Sequence, residues 1–315
     1  MTLAPPVSLD RISEARSAID PVFLDTPQFV SDALSESLGA EIVLKIECIN
    51  PVRSFKGRGA DYFTHVHADT ASRPWICASA GNFGQGLAYA TRKEDIPLIV
   101  YAATTANPFK VERMRQLGAT VELVGHDFDA SKDACRRFAE EEGLTFIEDG
   151  RDTSITEGAG TIAVELMGWR DAFDAVLLPV GNGALINGVG TWVKAHSPST
   201  RVVGTGAEGA PAMAWSFRER RVVTTASVST FADGVATRVP VPEAIASMAD
   251  VTDDMLLVDD DAIREAMGTL DRVLGLSVEP AGAVPLAAAT VYRERYQGKR
   301  LAVLISGSNV SGDLG

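Results

Sequence analysis

The chain has 315 residues, of which 46% are hydrophobic and 23% charged, a composition typical of a globular protein long enough for two lobes. Its 42 acidic and 29 basic residues give a net charge of −13, which argues against a surface that binds nucleic acid. The N-terminal residues lack a basic and apolar leader, and no apolar run reaches the length of a bilayer span, so we expect a cytoplasmic protein with no membrane partner.

Apolar runs alternate with helical patterns along most of the chain. The predicted strands cover residues 41–47, 75–79, 97–103, 120–125, 145–149, 175–181, 201–207 and 300–306. The predicted helices begin near Lys56 or cover residues 84–94, 107–118, 129–143, 160–169, 185–196 and 283–297. Because parallel neighbours need crossover connections, this alternation predicts an α/β fold with parallel-rich sheets covered by helices.

The acidic segment 250–266 predicts a solvated turn and an aspartate cap, Asp259 or Asp260, before another helix. The odd number of cysteines, without CxxC spacing, predicts small core residues rather than disulfides or a zinc site: Cys48, Cys77 and Cys135. The histidines have no zinc-binding spacing either and are expected at the surface: His65, His67, His126 and His196.

Several strands run directly into loops of small residues, where the helix that follows would point its free amides. One loop is "SAGNFGQG" from Ser79, a second is "GNGA" from Gly181, and a third is "SGSN" from Ser306. Either of the first two loops alone fits a structural turn as well as an anion-binding site, and the third alone is better explained as a surface turn. Together with Lys56, which stands between a Ser-Phe pair and a run of glycines, they predict a cleft that holds one reactive lysine and two anion-binding loops.

Short motifs occur along the chain in the order "SFKGRGA", "SAGNFGQGLA", "EGAGTIAVEL", "PVGNGAL", "ADGVA", "EPAGA" and "SGSN". In this order they resemble the fold type II pyridoxal-phosphate enzymes of the threonine/serine dehydratase family, which are tryptophan synthase beta-like. The resemblance extends from about residue 26 to residue 309. It implies a two-lobed fold and the cofactor pyridoxal 5'-phosphate, which Lys56 would hold as a Schiff base before acting as the catalytic base.

The resemblance also implies roles for the residues around Lys56. Phe55 would pack on the cofactor ring, Asn82 would bond its hydroxyl, and Ser306 would face its nitrogen. The cofactor phosphate would lie against a loop that the family usually writes with four glycines, here Gly181, Asn182, Gly183 and Ala184, followed by Leu185. The substrate would be held by Ser54, Ser79, Ala80, Gly81 and Asn82.

The chain departs from the family pattern in ways that affect its expected activity. Ala80 stands where serine racemases of the family carry a second acid/base serine, which argues against a dedicated racemase. Gly206 and Ala212 occupy the positions of metal ligands, with Glu208 only nearby, so we expect no metal site. Phe83 replaces a common histidine and leaves the substrate side chain open. We also expect no C-terminal regulatory domain.

The function implied by the resemblance is β-elimination from a β-hydroxy amino acid, such as L-threonine or L-serine, to a 2-oxo acid and ammonia. The hydroxyl of Ser306 would make the cofactor ring a weaker electron sink than an aspartate would, which favours elimination over transamination. An alternative is a β-replacement or synthase reaction with an added nucleophile, and a second is a degenerate binding protein.

The resemblance further implies a small amino-acid substrate as the partner and a homodimer as the assembly. The expected domain division places residues 1–71 and 151–315 in a larger lobe that binds the cofactor. Residues 72–150 would form a smaller lobe that closes over the substrate.

Overall fold

A computed structural model of the chain describes residues 6–310. Its helices are α1 (Leu9–Ala18), α2 (Asp32–Leu38), α3 (Lys56–His67), α4 (Asn82–Lys93), α5 (Pro108–Gln116), α6 (Phe128–Glu142), α7 (Thr153–Leu166), α8 (Ala184–His196), α9 (Ala212–Glu219), α10 (Pro242–Val251), α11 (Asp260–Leu274) and α12 (Pro280–Val291). Its strands are β1 (Gln28–Val30), β2 (Glu41–Ile46), β3 (Trp75–Ala78), β4 (Leu98–Ala102), β5 (Thr120–Leu123), β6 (Thr145–Ile147), β7 (Ala175–Pro179), β8 (Arg201–Ala207), β9 (Asp254–Val258) and β10 (Arg300–Ile305).

The strands form two sheets. The six-stranded sheet has the order β1-β2-β10-β7-β8-β9, and the four-stranded sheet has the order β5-β4-β3-β6. All neighbours are parallel except β1 and β2, which are antiparallel. The last strand along the chain, β10, therefore lies inside the larger sheet between β2 and β7.

Helices cover both faces of each sheet and bury its apolar side chains. One face of the six-stranded sheet packs against α2, α11 and α12, and the other packs against α7 and α8. In the smaller sheet, α6 covers one face and α3, α4 and α5 pack against the other. Burial on both faces explains why strands such as β2 and β7 are almost continuously apolar.

The structure corrects several predicted elements. Segment 250–266, predicted as a solvated turn, contains the strand β9, whose Met255 and Val258 are buried. The prediction was wrong because the acidic residues on either side of this short apolar run make the segment polar on average. The predicted aspartate cap is confirmed, because the Asp259 side chain accepts a hydrogen bond from the Ala262 amide at the start of α11. The predicted helix at 160–169 begins earlier, at Thr153, and the one at 283–297 covers Pro280–Val291 instead.

The predicted burial of the cysteines is confirmed, since all three are buried and unpaired. Of the histidines, His65, His126 and His196 are exposed as predicted. His67 is only partly exposed, and its ring packs against Phe63. All strands of the smaller sheet fall within residues 75–147, and the domain boundaries at 72 and 150 remain a prediction. Among residues 6–310, no helix combines the length and apolar character required to cross a membrane.

Candidate active site

Lys56 is the first residue of α3, and its position is set by the end of β10. The amide of Phe55 donates to the Ser306 carbonyl over 3.0 Å, and Ser54 forms a bridge with Gly307. The hydroxyl of Ser54 then accepts a hydrogen bond from the Lys56 amide over 3.1 Å. The lysine side chain, 16% exposed, reaches a cavity of about 370 Å³ between the two sheets.

A buried ionic network lies behind the first turn of α3. The guanidinium of Arg58 is fully buried and forms paired hydrogen bonds with Glu47 (2.8 and 2.9 Å) and with Glu165 (2.7 and 2.9 Å). Lys45 also bonds Glu165. Burial alone would raise the pKa of Glu165, but the hydrogen bonds and charge of Arg58, with the charge of Lys45, lower it to about 2. These contacts tie the helix that carries Lys56 to β2 and to α7.

All but one of the predicted site residues line the cavity: Phe55, Lys56, Ser79, Ala80, Gly81, Asn82, Gly181, Asn182, Gly183, Ala184, Leu185 and Ser306. The exception is Ser54, which is fully buried and contacts the backbone of Lys56 rather than the cavity. The aromatic rings of Phe55 and Phe83 lie 4.7 and 5.9 Å from the Lys56 Nζ atom.

The loop that follows β3 is held by its own serine. The Ser79 Oγ atom accepts hydrogen bonds from the amides of Gly81 (3.1 Å) and Gly84 (2.9 Å) and is buried. A Cβ atom at Gly81 would lie 2.5 Å from the Lys110 side chain, so only glycine fits there. The loop ends at Asn82, where α4 begins, and the free amides of this helix start face the cavity and suit a carboxylate.

The loop that follows β7 leads directly into α8. Gly183 has φ +95°, which favours glycine, whereas Ala184 is already the first residue of the helix. The alanine at the last position of this loop therefore occupies a conformation that any residue can adopt. A Cβ atom at Gly150 would lie 2.3 Å from the Asn182 carbonyl, so the neighbouring segment also packs tightly on this loop. The backbone of the loop that follows β7 and the N-terminus of α8 form a site suited to a phosphate.

A hydrogen-bonded chain of polar side chains closes the other side of the cavity. The amide of Asn82 donates to Glu279, and its oxygen accepts from Asn309 over 2.9 Å. The Glu279 carboxylate lies 3.3 Å from Lys110, which also bonds Asp233 over 2.7 Å. Burial raises the pKa of Glu279. Burial alone would lower the pKa of Lys110, but the charges of Glu279 and Asp233 raise it.

Sequence reasoning assigned no role to seven charged residues that line this cavity: Lys110, Asp127, Lys132, Glu148, Asp149, Asp233 and Glu279. Glu279 was part of a motif used for the resemblance, but no role was assigned to it. The position of Asp149 could have predicted a place in the site, because it closely follows β6. The carboxyl ends of parallel strands share the edge where ligands bind. Lys110 lies near the start of α5, with no local pattern that distinguishes it from a surface lysine.

Comparisons with known proteins show the family to which the chain belongs. A family model described as pyridoxal-phosphate dependent enzyme matches residues 19–307. The chain is 34% identical over 305 residues to the L-threonine ammonia-lyase of Thermotoga maritima, an alignment that covers 96% of this chain and 76% of that protein.

Two solved structures are similar over nearly the whole of this chain. The processed form of threonine deaminase isoform 2 from Solanum lycopersicum is 31% identical with a TM-score of 0.88, and the match covers 99% of this chain and 89% of that one. Maize serine racemase is 28% identical with a TM-score of 0.91, covering 98% and 95%. These matches confirm the α/β fold class, the family and the cofactor expected from the sequence motifs.

The residues of the cavity fit this cofactor. Lys56 supplies an amine inside a cavity of sufficient volume, about 370 Å³. The start of α8 supplies a site for the phosphate, and the Ser306 side chain, at the end of β10, lines the opposite wall without a hydrogen bond to another described residue.

Proposed function

Because the chain belongs to the pyridoxal-phosphate dependent enzyme family, we propose that it is a lyase that converts L-threonine or L-serine to a 2-oxo acid and ammonia. The threonine ammonia-lyase and threonine deaminase named above support this reaction class. The observation that carries the proposal is the placement of the Lys56 amine in a cavity between two helix N-termini, those of α4 and α8.

Different groups of the cavity would bind the cofactor, bind the substrate and transfer the Cα proton. When bound, pyridoxal phosphate supplies an electron sink that acidifies the Cα proton of an attached amino acid. The N-terminus of α8 would hold its phosphate, and Ser306 would accept or donate a hydrogen bond at its ring nitrogen. The loop from Ser79 to Asn82 would hold the substrate carboxylate.

Lys56 would both hold the cofactor covalently and, once the substrate amino group has displaced it, take the Cα proton at its Nζ atom. The rings of Phe55 and Phe83 flank this atom and limit access of water to it. Ala80 offers no hydroxyl that could return a proton on the opposite side, which supports elimination rather than racemisation.

The proposal is tested by the release of 2-oxo acid from the cofactor-loaded protein without any added nucleophile. The panel contains L-threonine, L-serine and bulkier or acidic β-hydroxy amino acids. Product from any of these supports the lyase, and the preferred side chain identifies the substrate. Product that appears only when sulfide or another acceptor is added would instead identify the β-replacement reaction.

The control for this assay is Lys56→Ala. Borohydride reduction should fix the cofactor permanently on Lys56 in the natural chain. Mass spectrometry should detect this adduct there and no adduct in the variant. A covalent cofactor at full occupancy in the variant would contradict the assignment of Lys56.

We further infer, from the resemblance to the family, a homodimer that acts in the cytoplasm and a smaller lobe, residues 72–150, that closes over the substrate. Analytical ultracentrifugation tests the dimer. Small-angle scattering with and without a slowly reacting substrate analogue tests the closure, because a moving lobe would reduce the radius of gyration.

A further inference from the structure

Asp149 is a charged residue beside the reacting lysine for which the proposed function gives no role. It follows β6 in the loop that leads to α7, and its side chain is only 7% exposed. The Oδ2 atom lies 2.7 Å from the Lys56 Nζ atom and 3.4 Å from the side-chain amide of Asn182. Its Oδ1 atom is buried and has no hydrogen-bond partner in residues 6–310.

The other carboxylates that line the cavity have cationic partners away from the reacting centre. Glu148 bonds Arg136 over 3.0 and 3.1 Å. Lys110 forms ion pairs with both Asp233 (2.7 Å) and Glu279 (3.3 Å), and Arg238 lies 3.7 Å from Asp127. Within the described part of the chain, Asp149 is thus the one cavity carboxylate whose ionic partner is the reacting amine itself.

This difference matters once the substrate amino group has displaced Lys56 from the cofactor. Lys56 must then be a neutral amine in order to take the Cα proton, so the buried carboxylate of Asp149 faces no cation, and its Oδ1 atom has no donor among the described residues. A hydroxyl group on the substrate is a suitable donor. Asp149 can therefore accept a hydrogen bond from the β-hydroxyl group of an amino acid that reacts next to Lys56.

We propose that Asp149 is a second catalytic residue, which delivers a proton to the leaving β-hydroxyl group. This inference rests on the proposed lyase function. Lys56 takes the Cα proton at Nζ and passes it through the 2.7 Å hydrogen bond to Asp149 Oδ2. Asp149 donates it to the hydroxyl oxygen as the Cβ–O bond breaks, and the electron pair of the Cα–H bond forms the Cα–Cβ double bond.

The atoms balance without a further reactant. The substrate loses one hydrogen and one hydroxyl group as a single water molecule, and both Lys56 and Asp149 return to their starting protonation states. The contact of 2.7 Å shows that the amine of Lys56 and the carboxylate of Asp149 lie close enough for direct proton transfer.

The proton delivery can be separated from other roles of Asp149 by changing the leaving group. Hydroxide leaves poorly unless it is protonated, and a positioned general acid contributes about 10²–10⁴-fold to such a step. Chloride leaves without a proton. L-serine and β-chloro-L-alanine differ only in this group and would yield the same 2-oxo acid. A comparison of the two therefore shows whether Asp149 protonates the leaving group.

The experiment measures kcat and KM of the holoenzyme for both compounds in the natural chain and in Asp149→Asn. We expect a loss of about 10²-fold or more in kcat for L-serine and less than about fivefold for β-chloro-L-alanine. Asp149→Glu, which keeps an acid, should recover part of the L-serine activity. Asp250→Asn is the control, because it removes an exposed carboxylate on α10 that lies outside the cavity, and it should leave both activities unchanged.

Equal losses on both compounds in Asp149→Asn would overturn the inference, since they would mean that Asp149 only positions Lys56. Unchanged L-serine activity would also overturn it and would place the acid elsewhere. A natural chain that releases no 2-oxo acid from L-threonine, L-serine or any other β-hydroxy amino acid of the panel would refute the proposed lyase itself, so the two failures are distinguishable. Cofactor occupancy, followed by absorbance and by the reduced adduct at Lys56, is measured in every variant.

Discussion

The buried network behind Lys56 predicts a large and pH-dependent loss of stability in Glu165→Gln. Its side chain is 6% exposed, and its pKa falls from 4.5 to about 2 in the folded chain. A fall of roughly 2.5 units corresponds to about 3 kcal/mol of stability at neutral pH. The variant would leave Arg58 and Lys45 buried with less compensating charge, so we expect a decrease of about 3 kcal/mol in the free energy of unfolding at pH 7.

The sign of the pH dependence follows from the lowered pKa. The stabilisation by Glu165 is fully present above the unfolded pKa of 4.5 and is lost as the pH falls through the folded pKa of about 2. The difference between the natural chain and Glu165→Gln should therefore shrink to about 2 kcal/mol at pH 3.5. Both proteins lose stability on acidification, but the natural chain loses more.

Urea unfolding at pH 7, 5 and 3.5 measures this difference directly. Glu140→Gln serves as the control, because Glu140 is an exposed glutamate on α6 that forms no ion pair within residues 6–310, and its change should be close to zero. A difference below about 1 kcal/mol at pH 7, as for a surface ion pair, would refute the reasoning, as would one that grows on acidification.

Two further predictions concern the cofactor site. Gly150→Ala should weaken cofactor binding about tenfold in an absorbance titration, because the glycine has φ +89° and a Cβ atom would lie 2.3 Å from the Asn182 carbonyl. The control Gly275→Ala has a similar strain at φ +62° but open space around it, and equal losses of affinity in the two variants would contradict this explanation. Ser306→Ala should keep the covalent cofactor on Lys56 but lower kcat about tenfold through loss of one hydrogen bond. Ser308→Ala, outside the cavity, should have no effect, and a normal kcat in Ser306→Ala would rule out a role for its hydroxyl.

The central strands of both sheets could be predicted because burial on both faces makes them apolar along their whole length. The strand β9 could not, since the buried Met255 and Val258 stand in a run of aspartates whose average character is that of a solvated turn. The helices α1 and α2 and the short strand β1 were also missed. Their stability comes from packing at the edge of the larger sheet and against α7 and β2, not from a strong pattern of their own.

The candidate site was predictable where it depends on local sequence. Lys56 and the loops from Ser79 and Gly181 stand in motifs with fixed neighbours, and the structure brings them to one cavity. Asp149 depends instead on the alignment of β6 beside β3, which joins distant segments. A pattern within one segment carries no information about such a partner, so its contact with Lys56 became visible only in the fold.

The position of β10 inside the larger sheet links the assembly of this protein to its order of synthesis. β2 pairs with β10 and not with β7, although β7 precedes β10 along the chain, so these two strands lack the strand between them until Arg300–Ile305 is available. The smaller sheet has all of its strands much earlier, between Trp75 and Ile147. During synthesis, the larger sheet would therefore lack the strand that joins β2 to β7 after every strand of the smaller sheet has been made. The pairing of β10 would also bring Ser306 to the cavity and Asn309 to Asn82, so the site would be completed only when the larger sheet is complete.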